Sequence, residues 1–404
     1  MIYLLLIVSL FEKWSLKYHF SLPFSYDLLL TLSIMVFVII STVIYDSSLL
    51  YKISLLIISI LTISCFIFSN SSLYSFIINN IVVLGNIAIA YYTFKQRNNF
   101  NAKLFLNVNY FYISLSLILY LISKYIYFND DILLYINNGH GYKYPFYSSG
   151  SFTLTFSEPS FAGTYLVAIY IATITVFSKK QNVLFASMAF FFFVYLSGSK
   201  ISLTILTILI FFKILNFIFN MRYILKFSLI YYIPATLIIS MAISFWTIHP
   251  SFIEFLPEGS RDSFYTRFFF IFNRFSYIFD TPLGFVFNFD NPVIFKTINT
   301  FTSISNTKEY SLELLSFIQN SLYFVPKDYF SLLMLNFGLF SIIILSIFSF
   351  FIFYLINKLN ICFNSQLILL TILLFISFSN NLTSISILVL LPIFLRSETK
   401  CNAR

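Results

Sequence analysis

Charge is scarce in this chain. Of its 404 residues 10% are Asp, Glu, Lys or Arg, while 59% are hydrophobic and the mean hydropathy is +0.89. Soluble globular chains carry roughly 25% charged residues. Water therefore cannot be the solvent for most of this surface. A string of soluble domains, which the length alone would allow, is excluded. The three cysteines, Cys65, Cys362 and Cys401, are isolated. Without any C-x-x-C they indicate neither a zinc site nor a disulfide framework. No Walker or dinucleotide fingerprint is present, and no ligand set has metal-site spacing. No cofactor is expected. The net charge of +9 would suggest nucleic acid in a soluble protein. In a membrane protein it is read by side of the membrane, and no nucleic-acid partner is expected.

What is abundant is apolar sequence in long runs. The 55 phenylalanines and 29 tyrosines would serve as interfacial belts and sugar-stacking surfaces. The codon bias of an AT-rich gene explains them more simply, so they carry little mechanistic weight. A helix of about 20 residues crosses the hydrocarbon core. Runs of this kind predict spans near Asp27 to Tyr45, Leu49 to Ser69, Leu73 to Phe94, Lys103 to Tyr127, Phe161 to Ser178 and Gln181 to Leu196. Others follow near Ile201 to Phe219, Tyr223 to Ile248, Tyr329 to Ile356, Gln366 to Phe378 and Thr383 to Leu395. Met1 to Phe11 is either a further span or a half-buried anchor. It lacks a basic n-region and a cleavage site, so no signal peptide is expected.

The expected fold is all-α: a polytopic transmembrane helix bundle of 11–12 spans, one integral membrane domain over residues 1–404. Orientation follows from the positive-inside rule. Lys95, Arg97 and Lys103, then Lys179 and Lys180, then Arg222 and Lys226, Lys358, and the tail with Arg396, Lys400 and Arg404 all fall on one side if the helices alternate. That side is the cytoplasm, with both termini there. Of the 15 acidic residues only Asp46 and Glu398 fall on the same side. The opposite, periplasmic side receives two long loops, residues 128–160 and 249–328. Long loops in compact proteins are commonly functional, and the second is too rich in aromatic and aliphatic residues for disorder. Within it, SFYTRFFFIFNRFSYIF over Ser263 to Phe279 places Arg267 and Arg274 seven apart, on one helical face. Two arginines make a span expensive, so a short amphipathic helix at the interface is predicted. Tyr310 to Val325 is a second such element.

Three clusters could carry chemistry. In Phe156-Ser157-Glu158-Pro159-Ser160, Pro159 suits the first position of a helix and Glu158 suits the positive end of its dipole. The same carboxylate at the mouth of a cavity could take a proton from a sugar hydroxyl. These readings weigh about equally. Ser197-Gly198-Ser199-Lys200 sits on the outer side, where a turn's backbone N–H groups and one cation could cradle phosphate. Taken alone, it is more simply a helix–helix turn with a snorkelling lysine. Arg261, Arg267 and Arg274, followed by TPLG over Thr281 to Gly284, match phosphate oxygens geometrically. Anionic headgroups of membrane lipids compete for them. Among the scattered His19, His140 and His249, only His249, at the start of the large loop, is a candidate base. The pair Asp130-Asp131 is in the wrong part of the chain for a metal-holding acid pair, and no metal site is assigned.

The constellation resembles the O-antigen polymerase family, Wzy, within the O-antigen ligase and polymerase group. FSEPSFAG over Phe156 to Gly163 is similar to the E-P-S segment before a mid-chain span of such polymerases. LSGSK over Leu196 to Lys200 stands where the family has Ser-x-Ser-Arg/Lys. Arg267 to Gly284 resembles the basic and aromatic stretch leading to Pro-Leu-x-Gly, and DYFSLLMLNFGL over Asp328 to Leu339 resembles the opening of the span after the large loop. Where ligases and many polymerases carry His-Asn before that span, this chain has Pro326-Lys327, which speaks against a histidine-dependent ligase. The family's Arg-x10-Gly pattern is also not kept, since Arg274 stands ten residues before Gly284.

The resemblance implies a glycosyltransferase of GT-C-like type in the bacterial inner membrane, acting in lipopolysaccharide biosynthesis. Its substrates would be undecaprenyl-diphosphate-linked oligosaccharide repeat units. It leaves room for a chain-length regulator protein as partner. A base for the acceptor hydroxyl would be Glu158, with His249 behind it. Cations for the diphosphate would be Lys200, Arg261, Arg267 and Arg274. The alternatives are a lipid-linked oligosaccharide flippase or an O-antigen ligase. A transporter would be expected to show repeated halves and charge at the midplane, and the predicted spans carry almost none.

Overall fold

The computed structural model describes residues 26–45, 49–67, 73–95, 100–122, 152, 154, 159–177, 179–219, 222–246, 329–358, 363–378 and 393. Among these residues every regular element is a helix. In chain order they are α1 Tyr26–Tyr45, α2 Leu49–Ile67, α3 Leu73–Lys95, α4 Ala102–Ile122, α5 Pro159–Val176 and α6 Lys180–Ser197. They continue with α7 Lys200–Phe219, α8 Arg222–Trp246, α9 Tyr329–Phe337, α10 Phe340–Lys358 and α11 Phe363–Phe378. The helix boundaries follow the apolar runs to within a few residues, because Lys95, Lys179-Lys180 and Arg222 interrupt those runs. The expected segments Met1 to Phe11 and Thr383 to Leu395 (apart from Ile393), and the expected large loop 249–328, lie outside the described residues.

Three helices, α4, α6 and α7, are long and apolar enough to cross a membrane. The outward faces agree with that. Phe185, 76% exposed, Met188, Phe192 and Tyr195 project from α6, while Phe211, Ile214 and Ile218 project from α7. Large apolar side chains exposed in this number suit lipid tails rather than water. Lipid tails solvate them without cost, so membrane character is a property of this fold.

One expected span is divided. The run Tyr329 to Ile356 predicts a single helix, but the chain forms α9 and α10 with a break at Gly338 and Leu339. Gly338 takes φ 49°, a left-handed conformation that L side chains resist. Its N–H donates to Met334 O at 2.9 Å, closing α9, and Ser341 Oγ donates to Gly338 O at 2.6 Å, opening α10. A single glycine within an apolar pattern gives little warning of such a break. The 9-residue α9 rises only about 14 Å, too short to span alone.

The core is organised around α5. Residues 162–174 are all buried, on every face of the helix, as expected of a helix apolar all round. α5 packs against α4, α6, α7 and α11, while α1 and α2 both pack on α3. Small residues, Ala162, Gly163, Ala168 and Ala172, let the neighbouring backbones approach α5. Its polar side chains are satisfied locally or across to neighbours. Thr164 Oγ1 donates to Ser160 O, and Thr173 Oγ1 to Ile169 O. With the Thr173 proton so committed, Tyr110 of α4 donates to Thr173 Oγ1 at 2.7 Å. Tyr165 donates to Asn109 Oδ1 of α4, and Tyr170 pairs with Ser187 of α6 at 3.0 Å. Interhelical bonds of this kind contribute about 1 kcal/mol each in membranes. At the other end of α7, Lys213 is 5% exposed and donates to Asn364 Oδ1 of α11 at 2.7 Å, with the Phe217 and Phe363 rings beside its ammonium.

Candidate functional site

The first turn of α5, the last turn of α6 and the first turn of α7 meet at one end of the helix group. α6 ends because Gly198 adopts φ 73°, and its N–H donates back to Tyr195 O at 3.0 Å. Ser197 Oγ donates to Val194 O at 2.7 Å and accepts from the Ser199 N–H at 3.3 Å. Ser199 then occupies the N-cap position of α7. Its carbonyl accepts from Leu203 N, and its hydroxyl donates to Ser202 Oγ at 2.8 Å while accepting weakly from Ser202 N at 3.4 Å. The turn is thus internally bonded. Two of its N–H groups, those of Gly198 and Ser199, have partners within it. Lys200 begins α7 and its side chain is exposed.

Two contacts bring Phe152 and Gly163, which stand on either side of Glu158 in the chain, to these helix ends. On the upstream side the Phe152 N–H donates to Leu196 O at 3.0 Å. The Phe152 ring is buried between Tyr120 of α4 and Phe193 of α6, with centroids 5.5 Å and 6.3 Å away. Leu154 follows, also buried, with φ 56°. A non-glycine residue in that region is uncommon and costs about 1–2 kcal/mol, so burial must hold it there. On the downstream side Gly163, in the second turn of α5, lies directly on α7. A Cβ at Gly163 would stand 2.5 Å from Ser202 Oγ and 2.7 Å from the Cβ atoms of both Ser199 and Ser202. Real Cβ atoms do not approach so closely, so only glycine fits.

Pro159 is the first residue of α5, as its missing N–H favours. Glu158 itself lies outside the described residues, as do His249, Arg261, Arg267, Arg274 and the pair Asp130-Asp131. Of the expected site residues the structure therefore places Lys200, and of the residues on either side of Glu158 in the chain it places Phe152 against the last turn of α6 and Gly163 against the start of α7. Sequence reading quoted FSEPSFAG and LSGSK as separate segments and assigned no role to Phe152, Leu154, Gly163 or Ser202. The available signal was the small residue at the start of α5 and the serines at the start of α7, the composition of a close helix crossing. Compared with protein-family models, with curated proteins and with solved structures, the chain matches none of them.

Proposed function

We propose that the chain is a polytopic inner-membrane glycosyltransferase that polymerises undecaprenyl-diphosphate-linked repeat units at the periplasmic face, in the manner of an O-antigen polymerase. The observation that carries this reading is the meeting of FSEPSFAG and LSGSK: Gly163, at the end of the first, lies against Ser199 of the second and Ser202 just beyond it. The proposed site draws a carboxylate from the first segment and a cation from the second, which is what the transfer needs. Beyond the three helices already long and apolar enough to cross, α1, α2, α3, α5, α8 and α10 are 20, 19, 23, 18, 25 and 19 residues long. Each has the length for a span. In the proposed topology the basic ends, with Lys179, Arg222 and Lys358, are cytoplasmic, and the Lys200 turn is periplasmic.

In the reaction a hydroxyl of the acceptor repeat unit attacks the anomeric carbon of the donor glycan. The new glycosidic C–O bond forms as the C–O bond to undecaprenyl diphosphate breaks. The hydroxyl proton passes to Glu158, and the electron pair leaves on the diphosphate. Lys200, with Arg261, Arg267 and Arg274 from the large loop, offsets the charge developing there. His249 is the reserve base. The partners are the lipid-linked oligosaccharide, membrane lipids and a chain-length regulator protein.

The experiment is gene deletion followed by complementation, read on the lipopolysaccharide ladder. Deletion should leave single repeat units on the core, and the wild-type gene should restore the ladder. Glu158→Gln should fail to restore it at normal protein level, since loss of a general base costs about a hundred- to ten-thousand-fold in rate. As a dipole-stabilising residue alone, Glu158 would be worth only about 1 kcal/mol or less, and its Gln variant would make full-length polymer. A deletion that leaves no repeat units on the core would instead indicate a ligase or flippase.

A further inference from the structure

We infer that Gly163 is a positioning residue for the proposed site: its bare Cα sets the separation between the start of α5 and the Lys200 turn. The inference rests on the polymerase reading, and it concerns a residue that neither binds substrate nor exchanges a proton. Three observations support it. The space at Gly163 is closed by Ser202 Oγ at 2.5 Å and by the Cβ atoms of Ser199 and Ser202 at 2.7 Å, so one methyl group must push α5 and α7 apart. The obstructing atoms cannot swing away. Both serines are buried, their hydroxyls bond to each other, and the Cβ atoms are fixed to the first turn of α7. Upstream of α5 the Phe152 N–H bonds to Leu196 O in the last turn of α6, which leads directly into this turn. Displacement at Gly163 therefore opens the gap between the start of α5 and the start of α7 at Lys200. Placing a catalytic group about 1 Å out of line can cost a hundred-fold in rate.

The effect on the reaction should consequently exceed the effect on the fold. α5 packs on three other helices along its length, whereas the steric conflict is confined to its second turn. An added methyl group should leave the protein inserted and abundant but short of polymer.

The test uses the full-length protein in the deletion strain. Gly163→Ala should accumulate to wild-type level and lower the amount of long polymer at least ten-fold. Ser199→Gly together with Ser202→Gly removes all three obstructing atoms. Glycine replaces serine at the Ser199 N-cap for only a few tenths of a kcal/mol and at Ser202, inside the first turn of α7, for at most about 1 kcal/mol, and this double variant alone should keep its ladder. Combined with Gly163→Ala it should restore most of the polymer, which ties the loss to this contact, while the unchanged protein level of Gly163→Ala separates it from a weakened fold. A wild-type ladder from Gly163→Ala would overturn the inference. So would loss of the protein itself, or failure of the serine changes to rescue. Glu158→Gln and Lys200→Ala run in parallel separate the two levels of the argument. Full polymer from both removes the site reading, whereas their failure beside an active Gly163→Ala removes only the role of Gly163.

Discussion

A buried hydroxyl in an apolar bundle has one proton to give, and where it gives it decides what a substitution costs. Ser187 Oγ donates to Val183 O at 2.8 Å, so in its 3.0 Å contact with Tyr170 the tyrosine is the donor. Tyr170→Phe then leaves Ser187 bonded within its own helix and should cost about 0.5–1.5 kcal/mol. Ser187→Ala instead strands the Tyr170 O–H in a fully buried position and should cost about 1–3 kcal/mol. Adding Tyr170→Phe to Ser187→Ala should recover part of that loss. Thermal unfolding of the detergent-solubilised variants measures this order, and a larger cost for Tyr170→Phe than for Ser187→Ala would contradict the donor assignment. At this scale the sequence was informative about residue type and silent about neighbours. Ser197 to Lys200 and Pro159 are recognisable as turn and helix-start residues from local chemistry. That Gly163 would meet Ser199 and Ser202 depends on how two helices distant in the chain cross, which local chemistry does not encode.

Among the elements, span length was the legible property. The hydrocarbon core demands about 20 apolar residues and charged residues end the runs, so α6, expected from Gln181 to Leu196, forms over Lys180–Ser197, and α7, expected from Ile201, begins at Lys200. Packing was not legible, because lipid tails are as apolar as leucine and a hydrophobic face does not reveal whether it meets lipid or protein. α5 and α6 illustrate this. Both are apolar, yet α5 is enclosed on all sides while α6 turns Phe185 and Met188 outward. Small residues at buried positions of α5, Ala168 and Ala172 among them, accompany its enclosure. Enlarging them should therefore be costly. Ala168→Leu and Ala172→Leu, at positions 1% and 0% exposed, should each destabilise by about 1–3 kcal/mol through overpacking. Phe185→Leu and Met188→Leu should leave the unfolding temperature unchanged. Equal sensitivity of the two helices would remove α5 from the centre of the fold. The division of α9 from α10 belongs to the same scale: a periodic apolar run carries no sign of a left-handed glycine until the backbone is seen.

For the whole molecule, two patterns converge. Apolar helices with exposed aromatic and aliphatic faces call for a bilayer. Basic residues gathered at one set of helix ends are the basis of the proposed orientation, in which the Lys200 turn is periplasmic. A polymerase working there needs neither a nucleotide-activated sugar nor a nucleotide site, because the lipid diphosphate is itself the leaving group. The central claim is most directly tested by reconstituting the purified full-length protein in liposomes with a defined undecaprenyl-diphosphate-linked repeat unit, without sugar nucleotide, and following glycan length and released lipid diphosphate by mass spectrometry. The account predicts glycans of two or more repeat units, with one undecaprenyl diphosphate released for each bond formed and at least a hundred-fold slower product formation by Glu158→Gln. Repeat units that stay single, whether left in place or merely moved across the bilayer, would contradict it.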